Sequence, residues 1–231
     1  MSAATAPARS PGRDLRRKLR LVVPPLADAG ERLIAHARVR DLYPEYLFTS
    51  HCVIRASVPL METARDRARA GAARDPVCAL LAPYLDEHIG EEADHDAWLL
   101  DDLEVVGRPR AEVLARPPVP AVAALVGAQY YWVLHHHPVA LLGYIGLLEG
   151  FPPSPDMIER LRARTGYPAG AFRTLVAHAE LDPRHGDELF ELVDTLPLTP
   201  EQSAVMGLSA MHSVQMYTRA LEDVIADVEG A

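Results

Sequence analysis

The chain has 231 residues, a formal charge of -9, 49% apolar side chains and only 6% aromatic ones. That length supports one substantial core, the acidic balance gives the folded body no reason to seek nucleic acid or an anionic membrane, and the dominance of Ala, Leu and Val favours helices over sheets. Two cysteines, Cys52 and Cys78, lie in no zinc or disulfide spacing, which fits a reducing cytoplasm, and no apolar run approaches the ~20 residues of a membrane span.

Taken in order, residues 1–22 carry Arg9, Arg13, Arg16, Arg17, Lys18 and Arg20 before Pro24-Pro25, and read as a mobile basic tail ahead of a single domain over 23–231. Leu26, Leu33, Ile34 and Ala37 share a helical face up to Tyr43-Pro44. A second helix runs from Glu45 to about Arg69, with a bend near Pro59 where a backbone hydrogen bond is lost. His36 and His51 on these helices read as partly exposed or locally bonded.

The third helix opens at Asp75-Pro76 and stops at Gly107. Within it Glu92 and His95 are three apart, neighbours on one face, with His88 a turn earlier on the same side. Glu-x-x-His is a common way for a helical bundle to offer a carboxylate beside an imidazole. The acids Asp94, Asp101, Asp102 and Glu104 read as a solvated face.

A proline-rich connection leads to a fourth helix through Ala121, Leu125, Tyr130 and Trp132, ending at His135-His136-His137. Consecutive helical residues fan apart, so at most one of these histidines faces a site. The fifth helix, Pro138 to Glu149, is apolar on every side and therefore buried. Its only charge, Glu149, sits at the C-terminal end, against both burial and the helix dipole, and calls for a local cation. An amphipathic sixth helix spans about 154–165.

The seventh helix, about 168–194, places His178, Asp182 and His185 at i, i+4 and i+7, on one stripe that would otherwise enter the core. Buried polar groups need partners, and a cation is one way to supply them. Thr199-Pro200 begins an eighth helix through Val205, Leu208, Met211, Val214, Leu221 and Ile225, where Met211, Met216 and Tyr217 are candidates to line a cavity.

Glu92 and His95, Glu149, and His178, Asp182 and His185 together make three imidazoles and three carboxylates. One zinc would be saturated by four ligands, and calcium would not use so many nitrogens. The count suits two transition ions sharing a bridging carboxylate, with iron, manganese and zinc all compatible.

The runs His88-x-x-Glu91-Glu92-x-x-His95-Asp96, Pro138-Val-Ala-Leu-Leu-Gly-Tyr144 to Leu148-Glu149-Gly150, and His178-x-x-x-Asp182-x-x-His185 resemble the pattern of the haem-oxygenase-like di-iron oxidases, the iron-containing redox enzyme family. The resemblance covers about residues 75–225. It implies an all-α, haem-oxygenase-like (TenA-like) bundle of seven to eight helices without haem. In it, Glu92, His95, Glu149, His178, Asp182 and His185 would bind two Fe(II) ions that react with dioxygen as co-substrate, one of them weakly so that the cofactor assembles with substrate. Some relatives place their first carboxylate two turns before the ligand histidine, where this chain has His88. The ligand is therefore assigned to Glu92, with Glu91 pointing away and His88 beside the metals or the substrate. Tyr130, Tyr131, Trp132, Tyr144, Met211 and His212 are the candidate wall or substrate contacts.

Relatives oxidise guanidine or amine nitrogen, cleave or decarboxylate amino-acid-like substrates, or turn fatty acids into terminal alkenes. The resemblance thus implies a cytoplasmic, homodimeric oxygenase or oxidase for a small amine- or amino-acid-derived metabolite in a biosynthetic pathway, with room for an external electron donor. A fatty-acid oxidative decarboxylase is the nearest alternative. A non-redox thiaminase-like hydrolase or helical binding protein would have no use for all six ligands.

Overall fold

A computed structural model describes residues 10–229, and those residues form α-helices and two short 3-10 turns with no strand among them. In chain order the α-helices are α1 (Pro11–Val22), α2 (Pro24–Ala35), α3 (Val39–Gly71), α4 (Pro76–Glu92), α5 (His95–Val105), α6 (Arg110–Ala115), α7 (Pro120–His135), α8 (Leu141–Leu148), α9 (Pro155–Thr165), α10 (Arg173–Thr195) and α11 (Pro200–Glu229). The 3-10 turns, Pro138–Ala140 and Ala169–Phe172, lead into α8 and α10.

Several helices start on chemistry that is plain in the sequence. Ser10, Asp75 and Ser154 accept hydrogen bonds from the first free N–H groups of α1, α4 and α9, each followed by proline at the first helical position. Thr199 and Gln202 exchange hydrogen bonds across the first turn of α11, Gln202 N–H to Thr199 Oγ1 at 3.2 Å and Thr199 N–H to Gln202 Oε1 at 2.9 Å.

The bundle has more helices than the seven or eight expected, for three reasons. The third expected helix breaks after Glu92: Asp94 adopts the left-handed conformation at φ 67° and α5 restarts at His95 in a new direction. The short α6 fills part of the proline-rich connection. And the part of the expected basic tail from Pro11 to Val22 is a docked helix, while residues 1–9 lie outside the described residues.

The reason for that last correction is apolar periodicity. Gly12, Leu15 and Leu19 share one face of α1, and Leu15 and Leu19 are 1% and 0% exposed, so Arg13, Arg17 and Arg20 are left on the exposed side while Arg16 flanks the buried face with its guanidinium over the Phe190 ring. Polar contacts fix the helix: Ser10 Oγ–H donates to Asp194 on α10 at 2.7 Å, Gly12 N–H donates to the same carboxylate at 2.8 Å, and Arg16 pairs with Asp187.

The long α3 runs without interruption through Pro44 and Pro59 and packs against α4, α5 and α7. Helix α11 lies along α8, α7, α2 and α1. Between them α8 is buried on all sides, as its composition requires. A Cβ on Gly143 would collide with the backbone at Met206 and Ala210, so only glycine lets α8 lie directly on α11. His51, expected to be partly exposed, is instead fully buried, with Nδ1 3.3 Å from the Asp96 carbonyl.

Because Leu19 sits inside this core, Leu19→Ala should lower the unfolding free energy by about 2–5 kcal/mol, measured by urea denaturation. A loss well below that range would mean that α1 is not docked.

Candidate metal centre

The end of α4, the start of α5, the end of α8 and the middle of α10 converge. Two groups of side chains meet there, His88 with Glu149 and His185, and Glu92 with His95 and His178, and in each group the potential ligand atoms lie within 4.8 Å of one another. Asp182 stands on α10 one turn from both His178 and His185 and is 3% exposed. All six residues assigned from the sequence are thus brought together, and His88 joins them as a member of a group, where the sequence reading put it beside the site. Glu91 is also displaced from its expected outward direction, with Oε2 3.5 Å from His88 Nδ1 and 3.7 Å from His185 Nε2.

Local structure explains each placement. The break at Ala93–Asp94 lets Glu92 close on His95, whose Nδ1 is 3.0 Å from Glu92 Oε2, although the two residues end one helix and begin the next. Glu149 caps α8, and Gly186 on α10 has room for its neighbour only because it lacks a side chain: a Cβ there would lie 2.8 Å from the Glu149 carbonyl oxygen. Asp102 on α5, expected in a solvated face, is fully buried and accepts the Thr174 N–H at 2.9 Å, which ties the first turn of α10 to α5 and so sets His178 against His95. His178 Nδ1–H donates to the Thr174 carbonyl at 2.9 Å, leaving Nε2 free to ligate. Rings flank both groups: Tyr84 stacks on His88 at 5.3 Å and Trp98 lies 4.0 Å from His95, centroid to centroid.

The electrostatics are those of a site short of positive charge. Burial pushes the Asp182 carboxyl up to about 8, helped by the charges of Glu149 and Glu92. Burial likewise raises Glu149, while in His88 the burial that would lower the ring is outweighed by its bond to Glu149, 2.6 Å away, which raises it. Burial lowers His178. Glu92 is held low against its burial by the hydrogen bond and charge of His95. Four buried atoms here have no hydrogen-bond partner, Glu92 Oε1, Glu149 Oε2, Asp182 Oδ1 and His185 Nδ1. Buried polar atoms left unpaired cost roughly 1–3 kcal/mol each, and cations bound at the two groups would supply partners for them. Imidazole and carboxylate donors in this mixture suit iron, manganese or zinc.

A third cluster, Asp75 with Cys78 and His137, has donor atoms equally close. Its chemistry is different. His137 Nδ1 accepts the Val139 N–H at 3.1 Å, so Nε2 carries the proton that goes to Asp75 Oδ2 at 3.0 Å, and no ring lone pair remains for a metal. The cluster clasps α4 to the turn before α8, with Gln202 of α11 donating to the same carboxylate.

A cavity of about 460 Å³ opens onto the two candidate ligand groups. Its inner end is lined by His88, Glu92, Glu149, His178 and Asp182, and its outer end by exposed Ala27, Glu31 and Ser154. Apolar side chains form most of the wall. One stripe of α3 adds hydroxyls: Tyr46, Ser50 and Ser57 line the cavity beside Tyr144 and Tyr217, with Ser50 Oγ 3.4 Å from the Tyr217 hydroxyl and Ser57 Oγ 3.2 Å from that of Tyr144. Of the wall residues expected from sequence, Tyr144 and Tyr217 are there, and Met216 is not. Tyr130, Tyr131, Trp132, Met211 and His212 are not among the lining residues; Tyr131 and Met211 are 58% and 40% exposed, and His212 packs its ring on Trp132. Tyr46, Ser50 and Ser57 were missed, although their i, i+4, i+11 spacing on an otherwise apolar face was a readable signal.

Solved structures share this architecture. A protein of Shewanella denitrificans OS217, described as a domain of unknown function with a haem-oxygenase-like fold, superposes with a TM-score of 0.74 at 18% identity over 94% of this chain and 90% of its own. A TenA homologue of Pseudomonas syringae pv. tomato DC3000 matches at 0.66 and 14% identity (98% and 99% covered), and a CADD-like protein of unknown function from Nostoc punctiforme PCC 73102 at 0.64 and 16% (94% and 96%). None of the curated proteins matches the sequence significantly. The structures establish an all-α, haem-oxygenase-like fold. Residues 51–218, well over half the chain, match the model of the iron-containing redox enzymes, and the protein belongs to that family.

One consequence concerns pH. Asp182 binds its proton in the metal-free folded protein up to about pH 8, whereas in the unfolded chain it ionises near about 3.9. The folded state therefore holds the extra proton between those values, and its contribution to stability declines as pH rises through that window. His178, lowered on folding, acts in the opposite sense at acid pH. In urea denaturation of metal-free protein, Asp182→Asn should gain stability relative to wild type on going from pH 5 to pH 8. A difference that is flat with pH would refute the assignment.

Proposed function

We propose that this protein is a non-haem di-iron oxidase that uses dioxygen to oxidise a small metabolite in a biosynthetic pathway. The observation that carries this reading is the set of four buried atoms without a hydrogen-bond partner, from Glu92, Glu149, Asp182 and His185, in and beside two groups of imidazoles and carboxylates whose possible ligand atoms lie within 4.8 Å of one another. His88, Glu149 and His185 would hold one ion and Glu92, His95 and His178 the other, with Asp182 placed between them on α10. Bound iron would supply the redox couple and the open coordination positions at which dioxygen is reduced.

The chain's own residues do the rest. The helices fix the ligands before any metal arrives, because Asp102, Gly186 and the Thr174 carbonyl hold α10 in register. The apolar wall of the cavity excludes water from the reacting end. It also selects the substrate: among the described residues no Lys or Arg lines the cavity, and the one lining carboxylate outside the site, Glu31, is exposed and paired with Arg160. A charge remote from the metals would have no buried partner there. An aliphatic acid or other largely apolar molecule fits this wall better than a guanidine or a zwitterionic amino acid. An amine- or amino-acid-derived substrate fits with its charged end against the site carboxylates and the remainder uncharged. The hydroxyls of Ser50, Ser57, Tyr144 and Tyr217 offer a neutral polar group on that remainder its hydrogen bonds. A two-electron oxidation of such a substrate leaves dioxygen short of the electrons needed to form water, and an external donor would complete the reduction.

Anaerobic titration with Fe(II), followed by exposure to oxygen, tests the reading. The expected result is two irons per chain and an oxygen-dependent ferric absorbance in wild type, with Asp182→Ala losing at least one iron. A protein that takes up no iron, with or without medium-chain fatty acids and amino acids as candidate substrates, would return the scaffold to a non-redox role.

A further inference from the structure

We propose that Glu91, clamped by Arg184, is a positioning residue that holds the His88 imidazole in its ligating orientation from outside the metal centre. The inference rests on the reading of His88, Glu149 and His185 as metal ligands.

The two rings stand at right angles, 5.4 Å apart and 82° between planes, and each turns one nitrogen inward. His88 Nε2 lies 2.6 Å from Glu149 Oε1, and His185 Nδ1 is the buried nitrogen without a hydrogen-bond partner, 3.6 Å from Glu92 Oε1. The other nitrogens, His88 Nδ1 and His185 Nε2, both face a single oxygen, Glu91 Oε2, at 3.5 and 3.7 Å. An imidazole that ligates through one nitrogen carries its proton on the other, and an acceptor for that proton fixes the tautomer and the ring plane. The nearest group to His185 Nε2 is a donor, the Arg184 guanidinium at 3.1 Å, whereas Glu91 is the carboxylate placed to serve His88.

Its own orientation is set from the solvent side. Arg184 donates to Glu91 Oε1 at 2.7 Å, and the same nitrogen lies 3.1 Å from His185 Nε2. Arg184 also reaches Glu188 at 3.6 Å, one turn further along α10. The clamp therefore joins the last turn of α4, which carries His88, to the turn of α10 that carries His185. Glu91 side-chain exposure is 28% and that of Arg184 is 58%, so neither residue supports the core and both can be replaced without opening it.

The test is anaerobic Co(II) titration of the full-length protein, read by ligand-field absorbance and by calorimetry, on wild type, Glu91→Gln and Arg184→Ala. Wild type should bind two Co(II). Glu91→Gln should bind one as before and the other about 10–100-fold more weakly, with Arg184→Ala shifted in the same direction and the metal-free unfolding midpoints of all three alike. Two Co(II) bound by Glu91→Gln with wild-type affinity and band positions would overturn the inference while leaving the metal centre standing. Loss of one Co(II) even at saturation would overturn it differently, by making Glu91 a ligand itself. No Co(II) uptake by wild type would remove the metal centre and this inference with it.

Discussion

Carboxylates and imidazoles that would be stable in water are held in this protein inside an apolar bundle, with several of their atoms facing one another instead of a partner. Such an arrangement is unfavourable for folding, and the raised Asp182 and Glu149 carboxyls express that directly. The rest of the structure has to supply both the stability that tolerates it and the rigidity that keeps it from relaxing. A cation drawn into that space would convert the same groups from a liability into a binding site, which is why the geometry and the family point the same way.

Rigidity comes from contacts placed just outside the converging residues. Asp102 pins the first turn of α10 through the Thr174 N–H, Thr174 in turn orients His178, Gly186 permits the close approach of α10 to Glu149, and Arg184 ties α10 to Glu91 on α4. Helix α1 adds a cover from the far side of α10, joined through Asp194 and Asp187. Nearly every turn of α10 is thus held by a different element, which suits a helix that carries three of the site's side chains and an interior proline, Pro183. The third polar cluster, around His137, shows the contrast: its donors and acceptors satisfy one another, and it works as a clasp.

The cavity adds selectivity to this reactive end. Its wall is mostly apolar, three of its hydroxyls form one stripe of α3, and its charges are concentrated where the candidate metal ligands are. A molecule entering past α2 passes the exposed Glu31–Arg160 pair at the mouth and then meets a mostly apolar wall until it reaches the site. Such a path favours substrates with one polar end and disfavours those that carry charge along their length.

Much of this was legible in the sequence because it is local. Helix starts at Asp75-Pro76, Ser154-Pro155 and Thr199-Pro200, the all-round apolar α8, and the i, i+4, i+7 stripe of His178, Asp182 and His185 depend only on near neighbours along the chain. Glu149 could be singled out because a lone carboxylate at the end of a buried helix is costly wherever the helix packs. Tertiary structure alone decided the remainder. That α1 docks while most of its arginines face outward depends on a groove made by α10, α8 and α11. That the chain breaks between Glu92 and His95, that His88 meets Glu149 and that Glu91 turns back toward two histidines are set by how the ends of α4 and α8 meet α10 in space. The composition determined a helical bundle with ligands to spare; only the packing decided which nitrogen and oxygen atoms share a space, because a side chain's partner across the bundle is set by how helices cross and not by its neighbours in sequence.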